Sequence, residues 1–348
     1  MIPEAEMEDH IRGLVLRDLG RTASAFTRLK GGRNSRVFRV ECSDGTVFAA
    51  KAYFQSRHDR RDRMGCEYRA LQFLKSEGVE QIAAPLASDE TRHIAIYEFV
   101  DGHLMPDLEI GLSEIDQVVA FLGTLKRIAD YGRCPFLEPA SEACFSIDAI
   151  DKNVELRLQR LAQVCVNEPE LSGFLQKDFT PFRDHAVNWC RDFCLSHGFD
   201  PAAEIPMVQR TLSPSDFGFH NALKCACGRL VFLDFEYFGW DDPAKTISDF
   251  LLHPGMKLSL TLKQHFFAGM LGAFTNMPGL KHRVRAVYPL FGLKWCMILL
   301  NEFTIEDRSR RRFSDGTPGA WSGDVQLEKA RSMLAQIIHD LQDFPFNA

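Results

Sequence analysis

The order of apolar and polar residues changes character along the chain. Between residues 24 and 54, three runs rich in β-branched and aromatic residues are separated by the turn-forming segments GGRN and CSDG, which predicts antiparallel strands. A helical pattern over residues 59–76 follows, and then two short strands near 81–87 and 94–99. The pattern therefore predicts a first lobe, residues 1–100, with an N-terminal helix, a small antiparallel sheet and one helix.

Later apolar residues recur mostly at helical spacing. The predicted helices cover residues 113–130, 147–166, 171–196, 244–253, 258–275, 283–303 and 325–343. Residues 228–238 are the exception, because they read as a nearly continuous apolar strand that is interrupted by Asp234 and Glu236. Residues 101–348 should thus form a larger, mainly helical lobe, and the predicted fold class is α+β with two unequal lobes.

Composition narrows the class of protein. Of the 348 residues, 45% are hydrophobic and 25% are charged, and these globular values exclude a disordered chain and a coiled coil. The net charge of −6 argues against nucleic acid or an anionic membrane as a general partner. The first residues lack the pattern of a secretory signal, and the apolar stretch 288–300 is interrupted by Lys294. We therefore expect a soluble, cytoplasmic protein whose ten cysteines stay reduced.

Four polar residues in and before the 228–238 strand suggest chemistry. Asp216 is followed five residues later by Asn221 in a turn-rich loop, whereas Asp234 and Glu236 are two apart in the strand, which directs both carboxylates to one face. An aspartate can accept a proton from a hydroxyl group, and amide and carboxylate oxygens are the ligands that Mg²⁺ prefers. Either pair alone is a weak signal, but the order DxxxxN and then DxE is more specific.

This order resembles protein-kinase-like phosphotransferases, and within them the aminoglycoside phosphotransferase and choline kinase group. Asp216 and Asn221 match the catalytic-loop pattern, and LDFEYF at 233–238 is similar to the metal-binding motif of the choline and ethanolamine kinases. Upstream, GGRNSRVF at 31–38 looks like the turn that covers the nucleotide phosphates, and Lys51 occupies the position of the third-strand lysine.

The resemblance implies a role for each residue. Lys51 would hold the α- and β-phosphates of ATP, and Glu67, on the following helix, would fix its ammonium group. Asp216 would orient and deprotonate the acceptor hydroxyl. The oxygen ligands of Mg²⁺ would come from Asn221, Asp234 and, at a second metal or as a supporting group, Glu236. Main-chain groups would cover the nucleotide and read the adenine edge at Gly32, Arg33, Asn34, Ser35, Glu98, Phe99 and Val100.

Each of these residues also has an ordinary structural interpretation. A Gly-Gly pair commonly forms a hairpin turn, and a strand lysine such as Lys51 is commonly solvated. Asp216 and Asn221 are residue types that cap turns and helices. The order of the whole series, from the glycine turn to the DxE strand, favours the functional interpretation. His220 is interpreted as a packing residue of the loop.

Three positions depart from the family's pattern. The family usually has histidine two residues before the catalytic aspartate and glycine just before it, where this chain has Pro214 and Ser215; it also tends to carry aspartate where this chain has Thr246. If the family's histidine and aspartate normally contact each other, losing both leaves no buried polar group without its partner. Asp249 is a candidate substitute for the missing carboxylate. An active enzyme is favoured, and a nucleotide-binding regulatory pseudokinase is the alternative. A protein kinase is disfavoured, because no segment resembles an activation loop that ends in APE.

The sequence defines the acceptor less well. In this group the helical lobe builds the acceptor pocket, and its aromatic and acidic residues suit a cationic amino alcohol or a sugar, although a tryptophan there is also typical of a core. The candidate substrate residues are Trp240, Asp249, Trp295 and Glu302. The expected function is ATP- and Mg²⁺-dependent transfer of the γ-phosphoryl group to a hydroxyl of an amino alcohol, a sugar or an aminoglycoside-like compound.

Overall fold

A computed structural model gives the conformation of most of the chain. It describes residues 4–29, 34–55, 61–132, 134, 137–165, 168–304 and 323–346. Within these stretches the chain divides into two units. The first contains the described residues of 4–104 and 221–238, and the second contains those of 105–220, 239–304 and 323–346.

The first unit is built on a five-stranded antiparallel sheet with the strand order β1-β2-β3-β5-β4. The strands are β1 Ala23–Leu29, β2 Ser35–Cys42, β3 Val47–Tyr53, β4 Pro85–Asp89 and β5 Ile94–Glu98. Their apolar side chains, with Phe38 and Val40 among them, pack into one core with helix α1, Glu4–Leu19. The strands predicted between residues 24 and 54 are confirmed, and Lys51 lies on β3, which is bordered by β2 and β5.

Helix α2, Arg63–Ser76, follows β3 and faces this sheet. It begins where the Asp62 carboxylate accepts a hydrogen bond of 2.9 Å from a backbone N–H of the first turn. Its buried residues include Glu67, Leu71 and Leu74, which the sequence places on one stripe. Glu67 is therefore buried together with the apolar side of the helix.

A three-stranded sheet, β6-β8-β9, completes the first unit. Its strands are β6 Gly102–Leu104, β8 Ala222–Cys225 and β9 Leu230–Phe232. The prediction of one strand over 228–238 is wrong in its C-terminal half, because Asp234 has a φ of +66°, which a β-strand excludes. Asp234 and Glu236 therefore follow the strand in a turn and do not share a strand face. Since β6 pairs with β8, the first unit continues to Leu104, whereas the predicted lobe ends at residue 100.

Helices dominate the second unit. They are α3 Leu112–Asp130, α4 Ile147–Ala162, α5 Pro169–Phe174, α6 Thr180–Ser196, α7 Pro243–Leu252, α8 Leu260–Ala273, α9 Leu280–Leu299 and α10 Gly323–Gln342. Helix α9 is buried along most of its length, because α4, α6, α7 and α10 pack against it. The predicted helices and the α+β class are confirmed. One detail differs, since a π-helical segment, Leu175–Phe179, joins α5 to α6 where one uninterrupted helix is predicted.

Two short antiparallel strands, β7 Thr211–Ser213 and β10 Gly239–Asp241, stand among these helices. The loop that carries Asp216 follows β7, and helix α7 follows β10. Asp242 caps α7 by accepting a hydrogen bond of 2.8 Å from a first-turn backbone N–H. None of the helices in the described stretches combines the length and apolarity that a membrane crossing requires. All ten cysteines are free thiols.

Candidate active site

A buried ammonium group is at the centre of the candidate site in the first unit. The Lys51 Nζ atom lies 2.6 Å from Glu67 Oε2 and 2.7 Å from Asp234 Oδ1. Burial alone would lower the pKa of Lys51, but the carboxylates of Asp234 and Glu67 outweigh it and raise this pKa well above its usual value. Lys51 is therefore a fixed positive charge held by one carboxylate of helix α2 and one of the turn after β9.

Two tyrosines hold Glu67 from the other side. Tyr53 donates a hydrogen bond of 2.7 Å to Glu67 Oε2, and its hydroxyl lies 2.7 Å from that of Tyr97. Burial raises the pKa of Tyr53 well above its usual value, so the phenol stays protonated and keeps its donor. Tyr53 lies two residues after Lys51 on β3, and the period of a strand directs both side chains to the same face. Tyr53 is not among the predicted site residues, although its spacing from Lys51 is visible in the sequence.

The turn after β9 carries two carboxylates in different surroundings. Asp234 has the left-handed φ noted above, a conformation that non-glycine residues adopt mainly where the surrounding structure imposes it, and often at functional sites. Glu236 is buried; the Asn34 side-chain amide donates a hydrogen bond to its Oε1, and Arg63 Nε lies 3.8 Å from the same atom. Burial, and then the charge of Asp234, raise the pKa of Glu236 to about 7.

Oxygen donors of the kind that bind a divalent cation lie in this turn and in the segment before it. Glu236 Oε2 is buried and accepts no hydrogen bond from the described residues, which is costly for a carboxylate oxygen. The Leu233 backbone N–H donates to Asn221 O at 2.8 Å, which ties Asn221 to the residue before Asp234. Asn221, Asp234 and Glu236 thus offer an all-oxygen donor set, the kind of set that Mg²⁺ requires.

The predicted nucleotide-covering turn is described only in part, since Gly32 and Arg33 lie outside the described residues. Asn34 reaches Glu236, as above, and donates a second hydrogen bond of 2.8 Å to the Tyr237 hydroxyl. Ser35 is buried at the start of β2. Asn34 therefore joins the glycine turn to the DxE segment, a contact between residues about 200 positions apart that no sequence pattern indicates.

The residues predicted to read adenine lie at the end of β5. The Glu98 backbone N–H donates to Ala84 O at 2.8 Å, so the sheet region already uses this donor. Phe99 and Val100 are half-buried, and with Glu98 they line a hollow that Ile82 also borders. The structure thus groups these three residues, whereas their role in nucleotide binding stays a prediction.

In the second unit, two histidines converge on Asp216. His220 Nε2 lies 3.1 Å and His253 Nε2 lies 3.2 Å from Asp216 Oδ1. Burial alone would raise the pKa of Asp216, but the hydrogen bonds from the two imidazoles hold it well below its usual range. Ser215, just before it, has a φ of +68°, the same uncommon region as Asp234. His220 therefore contacts the candidate base, beyond the packing role that the sequence suggests, and His253 was missed.

A chain of polar contacts runs from Trp295 to the Asp216 loop. The Trp295 indole N–H donates to Asp249 Oδ1 at 2.9 Å, and Lys245 Nζ lies 3.0 Å from Asp249 Oδ2. Lys245 also binds Asp241 Oδ2 at 2.7 Å and donates to Ser215 Oγ at 3.1 Å. Two predicted substrate residues, Asp249 and Trp295, are therefore in contact, and a buried lysine links them to the residue before Asp216.

The two other predicted substrate residues lie apart from this chain of contacts. Glu302 is buried in the 3₁₀ turn Leu300–Phe303 and accepts a hydrogen bond of 2.8 Å from Gln326 of α10. Helix α9 ends at Leu299, so Trp295 and Glu302 do not share one α-helix, although the predicted helix covers residues 283–303. Trp240 is buried in β10, where its backbone bonds to residues of the loop after α3. Their role in acceptor binding stays a prediction.

Comparison with known proteins identifies the fold of the chain. No protein-family model matches the chain, and no curated protein matches it in sequence. Solved structures do match along nearly the whole chain, at low sequence identity. A choline kinase from Streptococcus pneumoniae has a TM-score of 0.61 and 14% identity, over 95% of this chain and 99% of its own. An ethanolamine kinase from Plasmodium vivax has a TM-score of 0.60 and 14% identity, over 97% and 91%.

A third match is a phosphotransferase. A spectinomycin phosphotransferase, solved with ADP and spectinomycin, has a TM-score of 0.63 and 11% identity, over 95% of this chain and 98% of its own. The chain therefore has the fold of the protein-kinase-like small-molecule phosphotransferases. The resemblance that the motifs indicated, to the choline kinase and aminoglycoside phosphotransferase group, is confirmed in the fold.

Proposed function

We propose that the protein is an ATP-dependent small-molecule kinase. It transfers the γ-phosphoryl group to a hydroxyl of an amino alcohol, a sugar or an aminoglycoside-like acceptor. The solved structures that share its fold are named as a choline kinase, an ethanolamine kinase and an aminoglycoside phosphotransferase, and a spectinomycin phosphotransferase among them was solved with bound ADP. The observation that carries the proposal is the buried Lys51 ammonium between Glu67 and Asp234, because a lysine fixed in this way can neutralise phosphate charge.

The first unit supplies the nucleotide and metal residues in this proposal. Lys51 binds the α- and β-phosphates, and Glu67, itself held by Tyr53, keeps the ammonium group in place. Asn221 and Asp234, with Glu236 in support, would hold Mg²⁺, which when bound would supply positive charge to the phosphates. The buried Glu236 oxygen without a hydrogen-bond donor supports a cation at this turn.

The second unit supplies the base. The oxygen of the acceptor hydroxyl forms the new bond to the γ-phosphorus, the bond from this phosphorus to the bridging oxygen of ADP breaks, and Asp216 accepts the hydroxyl proton. A carboxylate held ionised by two hydrogen-bonded imidazoles suits this role, because it is ready to accept a proton at neutral pH. The acceptor itself is bound by the second unit, where Trp295 and Asp249 are the best-supported candidates.

A regulatory pseudokinase is the second candidate, and the departures at Pro214 and Thr246 motivate it. One contact argues against this candidate: the Thr246 hydroxyl donates a hydrogen bond of 3.2 Å to Ser213 Oγ. Thr246 is thus hydrogen-bonded to the residue before Pro214, at the end of β7, and this bond attaches the start of the Asp216 loop to α7.

A turnover screen tests the proposal. The purified protein is incubated with Mg²⁺, γ-labelled ATP and, separately, choline, ethanolamine and spectinomycin, and labelled product is measured. We expect transfer to one class of acceptor, with loss of Mg²⁺-dependent nucleotide binding in Asp234→Ala. Mg-ATP binding without turnover on any acceptor would favour the pseudokinase, and absence of nucleotide binding would refute both candidates.

A further inference from the structure

His253 has features that packing alone does not require. It is the residue after helix α7, and only 11% of its side chain is exposed. Its Nδ1 accepts a hydrogen bond of 3.1 Å from the Gly255 backbone N–H. In a neutral imidazole one nitrogen accepts and the other carries the proton, so this bond places the proton on Nε2. Nε2 is the atom that lies 3.2 Å from Asp216 Oδ1, and His253 is therefore a donor to the candidate base.

Two neighbouring rings fix the plane of this imidazole. The His220 ring stacks on it with centroids 3.9 Å apart and an interplanar angle of 5°. The Trp295 ring meets it edge-on, with centroids 4.6 Å apart and an angle of 80°. The tautomer, the ring plane and the donor direction of His253 are thus each set by a separate contact.

The same stacking argues against a metal ion held by Asp216 and both histidines. A histidine nitrogen binds Zn²⁺ with its in-plane lone pair at about 2.0–2.1 Å. Between parallel rings 3.9 Å apart, a shared ion would lie about 2 Å out of both planes, which is nearly along the ring normals. In addition, the His253 Nε2 atom carries a proton in the tautomer that Gly255 selects, and it has no lone pair to offer a metal.

We propose that His253 is a positioning residue for Asp216, which holds one carboxylate oxygen through its Nε2–H so that the carboxylate meets the acceptor hydroxyl in a fixed orientation. This inference rests on the proposed function. Two further contacts agree with it. The Lys245 ammonium donates a hydrogen bond to Ser215 Oγ. The Trp295 ring packs against His253 and donates its indole N–H to Asp249. The titratable groups that act on His253 are Asp216 and His220 of the loop and Asp249 of α7, and burial lowers the pKa of His253, which keeps it neutral.

Two substitutions separate the hydrogen bond from the ring. His253→Phe keeps a ring against His220 and Trp295 but removes the donor, whereas His253→Gln keeps a side-chain N–H at a similar distance from the backbone. His265→Phe is the matched control, because His265 makes a 2.6 Å contact with Asp116 at the surface of the same unit.

The kinetic readout uses Mg-ATP and whichever of choline, ethanolamine and spectinomycin the parent phosphorylates. We expect His253→Phe to lower kcat about 10- to 100-fold with the KM for ATP changed less than about 3-fold, since a small misplacement of a catalytic group costs on this scale. His253→Gln should recover kcat to within about 5-fold of the parent, the scale of about one neutral hydrogen bond. The acidic limb of the kcat/KM profile should move to higher pH in His253→Phe, because losing a donor raises the pKa of Asp216.

A second readout does not depend on turnover. Long-range ¹H–¹⁵N spectra of histidine-labelled protein should show His253, assigned by its loss in His253→Gln, as the neutral Nε2–H tautomer. The Nδ1–H tautomer would overturn the inference even in an active enzyme. Equal kcat in His253→Phe and the parent, or an equal loss in Phe and Gln without a shift of the acidic limb, would overturn it as well. A parent without turnover would refute the proposed function, and with it the catalytic role, while the spectra would still test the hydrogen bond.

Discussion

Replacing Lys245 by methionine should destabilise the second unit through the acidic groups that it leaves behind. The Lys245 side chain is 1% exposed, and its ammonium lies 2.7 Å from Asp241 and 3.0 Å from Asp249. At an effective dielectric constant of about 20, each of these attractions is worth about 6 kcal/mol before desolvation is counted. Desolvation of the three charges offsets much of this sum, and removing one partner of a buried pair costs about 3–5 kcal/mol in comparable cases. We expect Lys245→Met to lower the free energy of unfolding by about 3–5 kcal/mol.

The loss of free energy of unfolding in Lys245→Met should increase with pH. Burial raises the pKa of Asp241 even with Lys245 beside it, and without the lysine this pKa rises further. A group whose folded pKa exceeds its unfolded pKa favours the folded state at low pH and opposes it as pH rises. The deficit of Lys245→Met should therefore be smallest near pH 4 and should grow toward pH 7.

Urea denaturation followed by tryptophan fluorescence measures this change. Trp189, Trp240 and Trp295, the tryptophans in the described residues, all lie in the second unit, so their signal reports on it. The double variant Lys245→Met with Asp241→Asn should recover part of the lost free energy of unfolding and flatten its pH dependence. Lys329→Met, at an exposed position of α10, is the control. If Lys245→Met lowered the free energy of unfolding by less than about 1 kcal/mol, or if the difference from the parent shrank as pH rises, Lys245 would not stabilise the second unit through its contacts with Asp241 and Asp249.

Three further predictions concern single residues. Lys51→Met should lower turnover by at least about 100-fold in the ATP assay, because the phosphate charge loses its fixed cation. Gly239→Ala should destabilise the second unit by about 1–3 kcal/mol in urea denaturation, since a methyl group would come within 2.6 Å of a backbone nitrogen. Burial raises the pKa of Cys66 to about 11, so thiol labelling at pH 7.5 should be at least about 10-fold slower there than at the exposed Cys227.

Two of these predictions have a matched comparison within the chain, and Lys51→Met is compared with the parent. Gly272→Ala, in an exposed helical position with open space around the new methyl group, should be neutral or stabilising by up to about 1 kcal/mol. A Gly239→Ala variant as stable as this control would contradict the crowding argument. Turnover of Lys51→Met within about 3-fold of the parent, or equal labelling rates of the two thiols, would contradict the other two predictions.

The sequence predicted those parts of the molecule that depend on local pattern. The strands around Lys51 and the stripe that carries Glu67 follow from residue types and spacing, and the structure brings the two side chains into contact. Tyr53 could have been predicted in the same way, because it lies two residues from Lys51 on one strand.

Other features depend on contacts between distant segments, which a single sequence does not reveal. His253 is 37 positions from Asp216, and Asn34 contacts Glu236 across 202 positions. The apolar run after Gly228 predicts a long strand, but the chain turns at Asp234 with a φ that local propensity disfavours. Asp234 contacts Lys51, and its backbone has a conformation that a β-strand excludes. The strand prediction failed because the local pattern of residues does not show this contact.

The most direct test of the account is the turnover number of Asp216→Asn. The measurement compares kcat of parent, Asp216→Asn and the surface control Asp116→Asn, with Mg-ATP and the acceptor that the screen identifies. If Asp216 accepts the proton, Asp216→Asn should lower kcat by about 100- to 10,000-fold, the range of a lost general base, while the affinity for ATP and the kcat of the control stay at parent values. Unchanged turnover in Asp216→Asn would show that another group accepts the proton and would contradict the account.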